Sequence, residues 1–281
     1  MVDVHRYEEL TWPETNDAVR RGCIPVLPVG AIEQHGPHLP LKMDCLTADS
    51  VTDEAARRSD GLLLAMPVVS YGYASHVMDF PGTITIHHET LIRFVVDIGL
   101  SLAYGGFKKM IIVNGHGSNT QPLELAVRRI MLESDAWAGM ANWWSLTEAN
   151  KGFTETWRES EVPGGAAHAA EAETSFALHM DPEGVRTELS VDRVSAHNAL
   201  KSKYHWVDIF GSGPVKMDGY TSTYTEDGTQ GTPSLATAEK GRVLFEEAVT
   251  NLVEFGRELS ARQFHPRVDH HVEPPTIPRP G

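Results

Sequence analysis

The sequence predicts an α/β fold built on crossover units around a mainly parallel sheet. Two observations lead there. Apolar runs of strand length alternate with longer stretches of helical periodicity, the pattern of crossover units feeding a parallel sheet. The chain of 281 residues, 41% hydrophobic and 22% charged, also has the composition of a globular protein able to bury a sizeable core.

Residues 23–29 (CIPVLPV) read as the first strand and 62–69 (LLLAMPVV) as the second. A helix is expected between them over 47–58, capped by Thr47 or Asp49. Over 90–104, Leu91, Phe94, Val95, Ile98 and Leu102 recur at offsets of three and four, an amphipathic helix closed by Gly105 and Gly106. Residues 109–113 (KMIIV) form a short buried strand that runs into NGHGSN and a helix near 121–132. A strand follows at 140–144, then an Ala- and Glu-rich helix, or a loop leading into one, over 166–179. Residues 190–232 are long, polar and irregular, as expected of a substrate-covering loop or a subunit contact. A helix over 234–259 closes the core, so the expected organisation is one domain over 1–262 and a proline-rich arm over 263–281.

The formal net charge of −14 repels phosphate backbones and does not repel cations, so nucleic acid is not an expected partner. Only Cys23 and Cys45 occur, too few for a disulfide framework, and the acidic amino terminus lacks the basic start and apolar stretch of a signal peptide. No window approaches the length of an apolar membrane span. The chain reads as cytoplasmic, with no membrane partner.

Three clusters carry candidate chemistry. In GAIEQHGPHLPLKMD, Glu33 and His35 are two apart and share one face if the strand extends that far, and Asp44 returns after a Gly-Pro-rich loop. A carboxylate and an imidazole on one face are metal-ligand chemistry, although an ordinary exposed loop is the plainer reading of Glu-x-His alone. In NGHGSN, His116 sits between a buried strand and a helix, where ligands bind in open parallel sheets. Its plainer role is to cap a backbone group. In HAAEAETS, His168 and Glu171 share a helical face while Glu173 lies about 140° round, unless the helix begins near Glu171 and all three converge. Two glutamates in such a helix are commonly a solvated face. No P-loop or dinucleotide fingerprint is complete, and no Gly-x-Ser-x-Gly elbow is present.

GAIEQHGPHLPLKMD, NGHGSN, HAAEAETS and the later GTPSLATAEKG, spread over about 24–245, resemble the creatininase (creatinine amidohydrolase) family. The resemblance implies a three-layer α/β/α fold, a divalent metal centre of two ions, hydrolysis of an amide in a small or cyclic substrate, and homo-oligomers, often hexamers. It implies Glu33, His35, Asp44 and His116 as metal ligands, with Asp44 bridging, His168 and Glu173 as the catalytic pair, and Ser75 near the substrate. The family's tyrosine and glutamate after the second-motif histidine are here Gly117 and Ser118, so Glu171 is expected to supply the missing carboxylate, and Gly164 stands where creatininases carry a tryptophan. Creatinine itself is therefore not the expected substrate. Trp143 and Trp144 stand where the family often has an aromatic wall, and the plainer reading of either is a buried core tryptophan.

Such a donor set suits Zn, Mn or Fe(II). Two cations sharing Asp44 would acidify water toward neutrality and polarise the amide carbonyl, and His168, held by Glu173, would pass a proton to the leaving nitrogen. The expected enzyme is a metal-dependent hydrolase of carbon–nitrogen bonds other than peptide bonds, acting on a small, cyclic substrate. Ser75, Trp144, Gly117 and Ser118 are the expected substrate contacts. Alternatives on the same site are a deformylase, a lactone hydrolase and a peptide-trimming hydrolase. An alternative of another class is a metal-binding protein without turnover.

Overall fold

The computed structural model describes residues 4–195, 202–273 and 276. Helix α1 (Trp12–Arg21) leads into β1 (Ile24–Val29), α2 (Met43–Arg58), β2 (Leu63–Ala65), α3 (His88–Tyr104), β3 (Lys109–Asn114), α4 (Thr120–Glu133) and β4 (Trp137–Asn142). Helix α5 (Trp143–Thr147) and the short strand β5 (Ala166–His168) precede α6 (Glu171–Met180). Two-residue strands β6 (Val207–Asp208), β7 (Gly211–Ser212) and β8 (Gln230–Gly231) follow, and α7 (Ala238–Ala261) ends the fold.

Strands β1 to β4 pair in parallel in the order β2-β1-β3-β4. Side chains of successive strand residues face opposite ways, and the sequence uses that alternation for two cores. Ile24, Val26, Leu63, Ala65, Ile111 and Val113 meet Val51, Phe176, Leu244 and Leu252 of α2, α6 and α7. Leu27, Val29, Leu64, Met110 and Ile112 meet Leu91, Val95, Leu123 and Ile130 of α3 and α4 on the other face. The three-layer sandwich is therefore present, with helices on both faces of a parallel sheet. No described helix is long and apolar enough to cross a membrane.

Several boundaries differ from the expected ones. Helix α2 begins at Met43, four residues early, and Thr47 donates to the Asp44 carbonyl at 3.1 Å inside the helix instead of capping it. Strand β2 stops at Ala65 because Pro67 has no N–H for the ladder, although Met66 and Val69 still bond to β1. Trp143 and Trp144 turn out of the sheet into α5, where Trp143 packs on Phe176; this packing outweighs their strand propensity. Of the two expected forms of 166–179, a helix throughout or a lead-in followed by a helix, the second is present. Ala169 adopts φ 49°, a left-handed backbone that alanine rarely takes, so His168 ends a strand and α6 starts at Glu171.

After α7 the chain folds back, and Phe264 stacks on Trp137 at the start of β4. Prolines 274, 275, 278 and 280 of the expected arm, and residues 196–201 of the expected loop, lie outside the described residues.

Candidate metal centre

The strand order reverses between β1 and β3, since β1 leads to β2 on one side and β2 then crosses to β3 on the other. Such a switch point opens a crevice beyond the carboxyl ends of the two strands. The loop carrying Glu33 and His35 leaves β1 there, and His116 follows β3 by two residues. Two glycines let a third segment approach. A Cβ on Gly30 would lie 2.6 Å from the Cys45 nitrogen, and one on Gly115 would lie 2.0 Å from the Asp44 carbonyl oxygen. Only glycine at these strand ends allows the first turn of α2 to settle on them and deliver Asp44.

Among the described residues the side chains converge as three overlapping triads, two of which share Asp44 while the third joins Glu33, His35 and His168. Glu33, Asp44 and His116 offer ligand atoms within 4.8 Å of one another, and so do His35, Asp44 and Glu173. His116 Nδ1 lies 3.2 Å from Glu33 Oε1 and 3.3 Å from Asp44 Oδ2, while His35 Nε2 lies 3.2 Å from Asp44 Oδ1 and 3.6 Å from Glu173 Oε1. Glu33, His35, Asp44, His116 and Glu173 are all buried. Each histidine has its other nitrogen bonded to a backbone carbonyl: His116 Nε2 donates to Tyr73 at 3.0 Å and His35 Nδ1 to Glu33 at 3.3 Å. That choice of tautomer leaves a lone pair on the nitrogen that faces the carboxylates, as metal-binding imidazoles require.

Glu33 Oε2, His35 Nε2 and Asp44 Oδ2 have no hydrogen-bond partner although they are buried. Their neighbours are close but misaligned for hydrogen bonding, as expected of atoms aimed at a common point between them. Buried polar groups rarely stay unpaired, so the donor set fits divalent cations. Without a cation, burial opposes protonation of His35 and His116. Asp44 and Glu173 on one, and Glu33 and Asp44 on the other, outweigh it and hold both imidazoles well above their usual range. Burial likewise opposes the charged forms of Asp44 and Glu173, but His35 and, for Asp44, His116 hold both carboxyls below theirs. The nearby Cys45 thiol is pushed up to about 12 by burial and by Asp44, so it stays protonated and offers no thiolate.

His168 stands beside this cluster, its ring centroid 4.4 Å from that of His35. Its Nε2 lies 2.9 Å from the Gln34 carbonyl oxygen and 3.1 Å from the Gln34 side-chain amide nitrogen, and its Nδ1 lies 3.9 Å from Glu33 Oε1. The expected bond from Glu173 to His168 is not formed among the described residues; Glu173 Oε2 instead accepts the Ala169 N–H at 2.6 Å, and its Oε1 turns to His35.

The expectation that Glu171 is a ligand needs correction. Glu171 accepts Lys240 Nζ at 2.6 Å, the Ser160 N–H at 2.8 Å and the Glu159 N–H at 3.0 Å, on the side of α6 away from the cluster. Two helical steps turn a side chain by about 200°, so Glu171 and Glu173 cannot both face the same point. His76, not Glu171, stands next to Ser118, with Nδ1 3.4 Å from its Oγ.

The cluster opens into a cleft of about 870 Å³. Ser75, Trp144, Gly117 and Ser118, the expected substrate contacts, all line it, whereas Trp143 is buried in the core. The space around Gly117 is open, so its lack of a side chain widens the cleft and relieves no backbone clash. Sequence reasoning missed Tyr73 and His76, which lie beside Ser75 in one segment and also line the cleft. It also missed Gln34, whose position between two predicted ligands was the available signal. His76 is held neutral, down to about 4, by burial. The opposite wall comes from the irregular region after 202, including Phe210, Tyr220 and Tyr224.

Comparison with known proteins agrees with this architecture. The sequence profile of the family described as creatinine amidohydrolase matches residues 8–255. A mycofactocin precursor peptide peptidase of Mycobacterium ulcerans (strain Agy99) is 33% identical over 250 residues, covering 86% of this chain and 84% of the relative. A creatinine amidohydrolase of Pseudomonas putida is 29% identical over 262 residues, covering 89% of this chain and 95% of the relative. A solved structure described as "Creatininase Mn" superposes with a TM-score of 0.76 at 26% identity, covering 92% of this chain and 100% of the other.

Proposed function

The chain belongs to the creatininase family, and from that premise we propose that it is a metal-dependent amidohydrolase that cleaves a C–N bond in an extended, peptide-like substrate. One observation carries the reading: two triads sharing Asp44, with unpaired atoms facing inward, stand at the base of a cleft of about 870 Å³. That volume lies near the top of the range of roughly 300–1,000 Å³ for ordinary ligand pockets. A small cyclic amide needs only a fraction of such a volume, which favours a longer substrate. The similarity to a precursor peptide peptidase points the same way.

Glu33, Asp44 and His116 would hold one cation and His35, Asp44 and Glu173 a second, with Zn, Mn or Fe(II) suited to these nitrogen and oxygen donors. Bound there, such ions supply polarisation of the scissile carbonyl and acidification of water. The chain's own residues do the rest. His168 takes a proton as the nucleophile attacks and delivers it to the amide nitrogen as the C–N bond breaks, while its contacts to the Gln34 backbone and side chain hold the ring in place beside Glu33. Ser75, Ser118, Gly117 and Trp144 shape the space next to the reacting bond.

The test is elemental analysis of protein prepared without chelator, followed by a turnover screen of short peptides, cyclic amides, formamides and lactones. One to two divalent metals per chain and fastest turnover of a peptide support the reading. Fastest turnover of a small ring overturns its extended-substrate part, and metal without turnover of any class overturns the hydrolase.

Self-association is part of the same reading, supported by Phe94, Tyr104, Leu125 and Leu132, which are exposed on the outer face of α3 and α4. Light scattering that finds only a 31.0 kDa particle at micromolar concentration overturns it.

A further inference from the structure

Hairpin β6–β7 forms part of the outer wall of the cleft, through Val207, Ile209, Phe210 and Gly211. Strands of two residues cannot hold a wall in place by their own ladder. The hairpin is tied to the body of the fold at Asp208. Arg158 reaches it with a two-pronged fork, Nη1 to Oδ1 at 2.8 Å and Nη2 to Oδ2 at 2.7 Å, and both side chains are almost fully buried, at 4% and 2% exposure.

Both partners are satisfied beyond the pair. Asp208 also accepts the Gly164 N–H at 2.8 Å and the Phe210 N–H at 3.3 Å, while Arg158 donates to the Glu161 carbonyl at 2.6 Å and to Ser160 Oγ at 3.1 Å. Phe210 packs against Trp157, with centroids 5.4 Å apart. The neighbouring Ile209 N–H bonds to the Ala166 carbonyl at 2.8 Å, on the strand that carries His168. The outer wall and the proton-carrying histidine therefore share one anchorage.

Apolar residues would hold two segments together about as firmly, since a buried ion pair loses much of its attraction to desolvation. What a fork-to-carboxylate pair adds is fixed distance and angle. We propose that Arg158 and Asp208 are positioning residues, a latch that sets where the outer wall stands and hence how well the part of a substrate beyond the reacting bond is held. The proposal rests on the reading of the cleft as the site of an extended substrate.

The test uses Asp208→Asn and the milder Arg158→Lys, which keeps the charge without the fork and decides the matter if Asp208→Asn fails to fold. Two probes are compared in each protein loaded with Zn²⁺: acetohydroxamate, which reaches only the metals, and a tripeptide hydroxamate, which also spans the cleft. Both variants should keep the metal content and bind acetohydroxamate within about twofold of wild type, while the tripeptide hydroxamate weakens by about fivefold or more, with Arg158→Lys between wild type and Asp208→Asn. Amide exchange over 204–215 should speed up by about tenfold, with the amides of 110–113 unchanged. Equal weakening of both probes, or exchange that rises equally in the sheet, overturns the latch and leaves the pair a general scaffold contact. Equal affinity of the two probes in the wild type overturns the extended-substrate reading itself, and it is seen before any substitution is made.

Discussion

Around Asp44 and around Glu171, buried carboxylates meet nitrogen donors at the two sides of one helix, and the two assemblies are completed in opposite ways. Glu171 has both oxygens bonded, to Lys240 and to two backbone N–H groups, and Asp208 has both of its own filled by Arg158 and by Gly164 and Phe210. The Asp44 cluster is just as buried and as charged, yet it leaves Glu33 Oε2, His35 Nε2 and Asp44 Oδ2 unpaired at the base of a cleft. Burial and charge therefore do not distinguish the two assemblies. Unfilled bonding capacity aimed at an accessible space does.

Breaking the cluster at its shared residue should have the largest effect. Asp44→Ala is expected to strip both cation positions and lower activity by about 10⁴-fold or more, the scale of removing a central catalytic group. Elemental analysis and steady-state rates check this together, and Glu173→Gln should remove only one cation of the two. Full metal content in Asp44→Ala would erase the distinction between the two assemblies.

His168→Ala comes next. Metal content should be unchanged while kcat falls by about 10²–10⁴-fold, because only the proton-carrying group is lost. A loss of metal in this variant would make His168 a ligand, as its place beside Glu33 and His35 also permits.

On the scaffold side, Glu171→Gln should keep the metal and most of the activity and lower stability by about 1–3 kcal/mol, since it weakens a filled network around Lys240. Thermal unfolding measured across pH sharpens the contrast. Burial opposes ionisation of Glu171, but Lys240 and Ser160 hold its carboxyl below the usual range. Its stabilisation is therefore present above the unfolded carboxylate range and is lost as pH falls through the folded value. The gap in melting temperature between wild type and Glu171→Gln should be full at neutral pH and narrow in acid.

The smallest change is expected from Ser75→Ala. Its hydroxyl lines the cleft and lies 3.4 Å from Thr85 Oγ1, so its loss should raise KM by about three- to tenfold, one hydrogen bond's worth, with the metal retained. An unchanged KM would place Ser75 with the scaffold.

Much of this division was legible in the residues. That Glu33, His35, Asp44 and His116 come together was foreshadowed by their short segments next to strand ends, and the family resemblance, not local spacing, marked them as a set. The order of strands and helices was equally readable, because alternation along a strand and three-to-four spacing along a helix are local consequences of where side chains point. The left-handed turn at Ala169 was not readable, since nothing in an Ala-rich stretch announces φ 49°. It fixes where α6 begins and so decides which of Glu171 and Glu173 faces the cluster.

The sequence by itself determined the fold class, the two apolar faces of the sheet and the chemical identity of the donors, because each of these follows from residue type and local periodicity. Only the tertiary structure decided which carboxylate faces the Asp44 cluster and which meets Lys240, that His168 stands beside His35 and Glu33, and that Arg158 and Asp208, fifty positions apart, pair next to the cleft. These are matters of distance between segments remote in the chain. Lys240, Gln34 and Arg158 exert their influence through partners that no spacing within their own segments reveals.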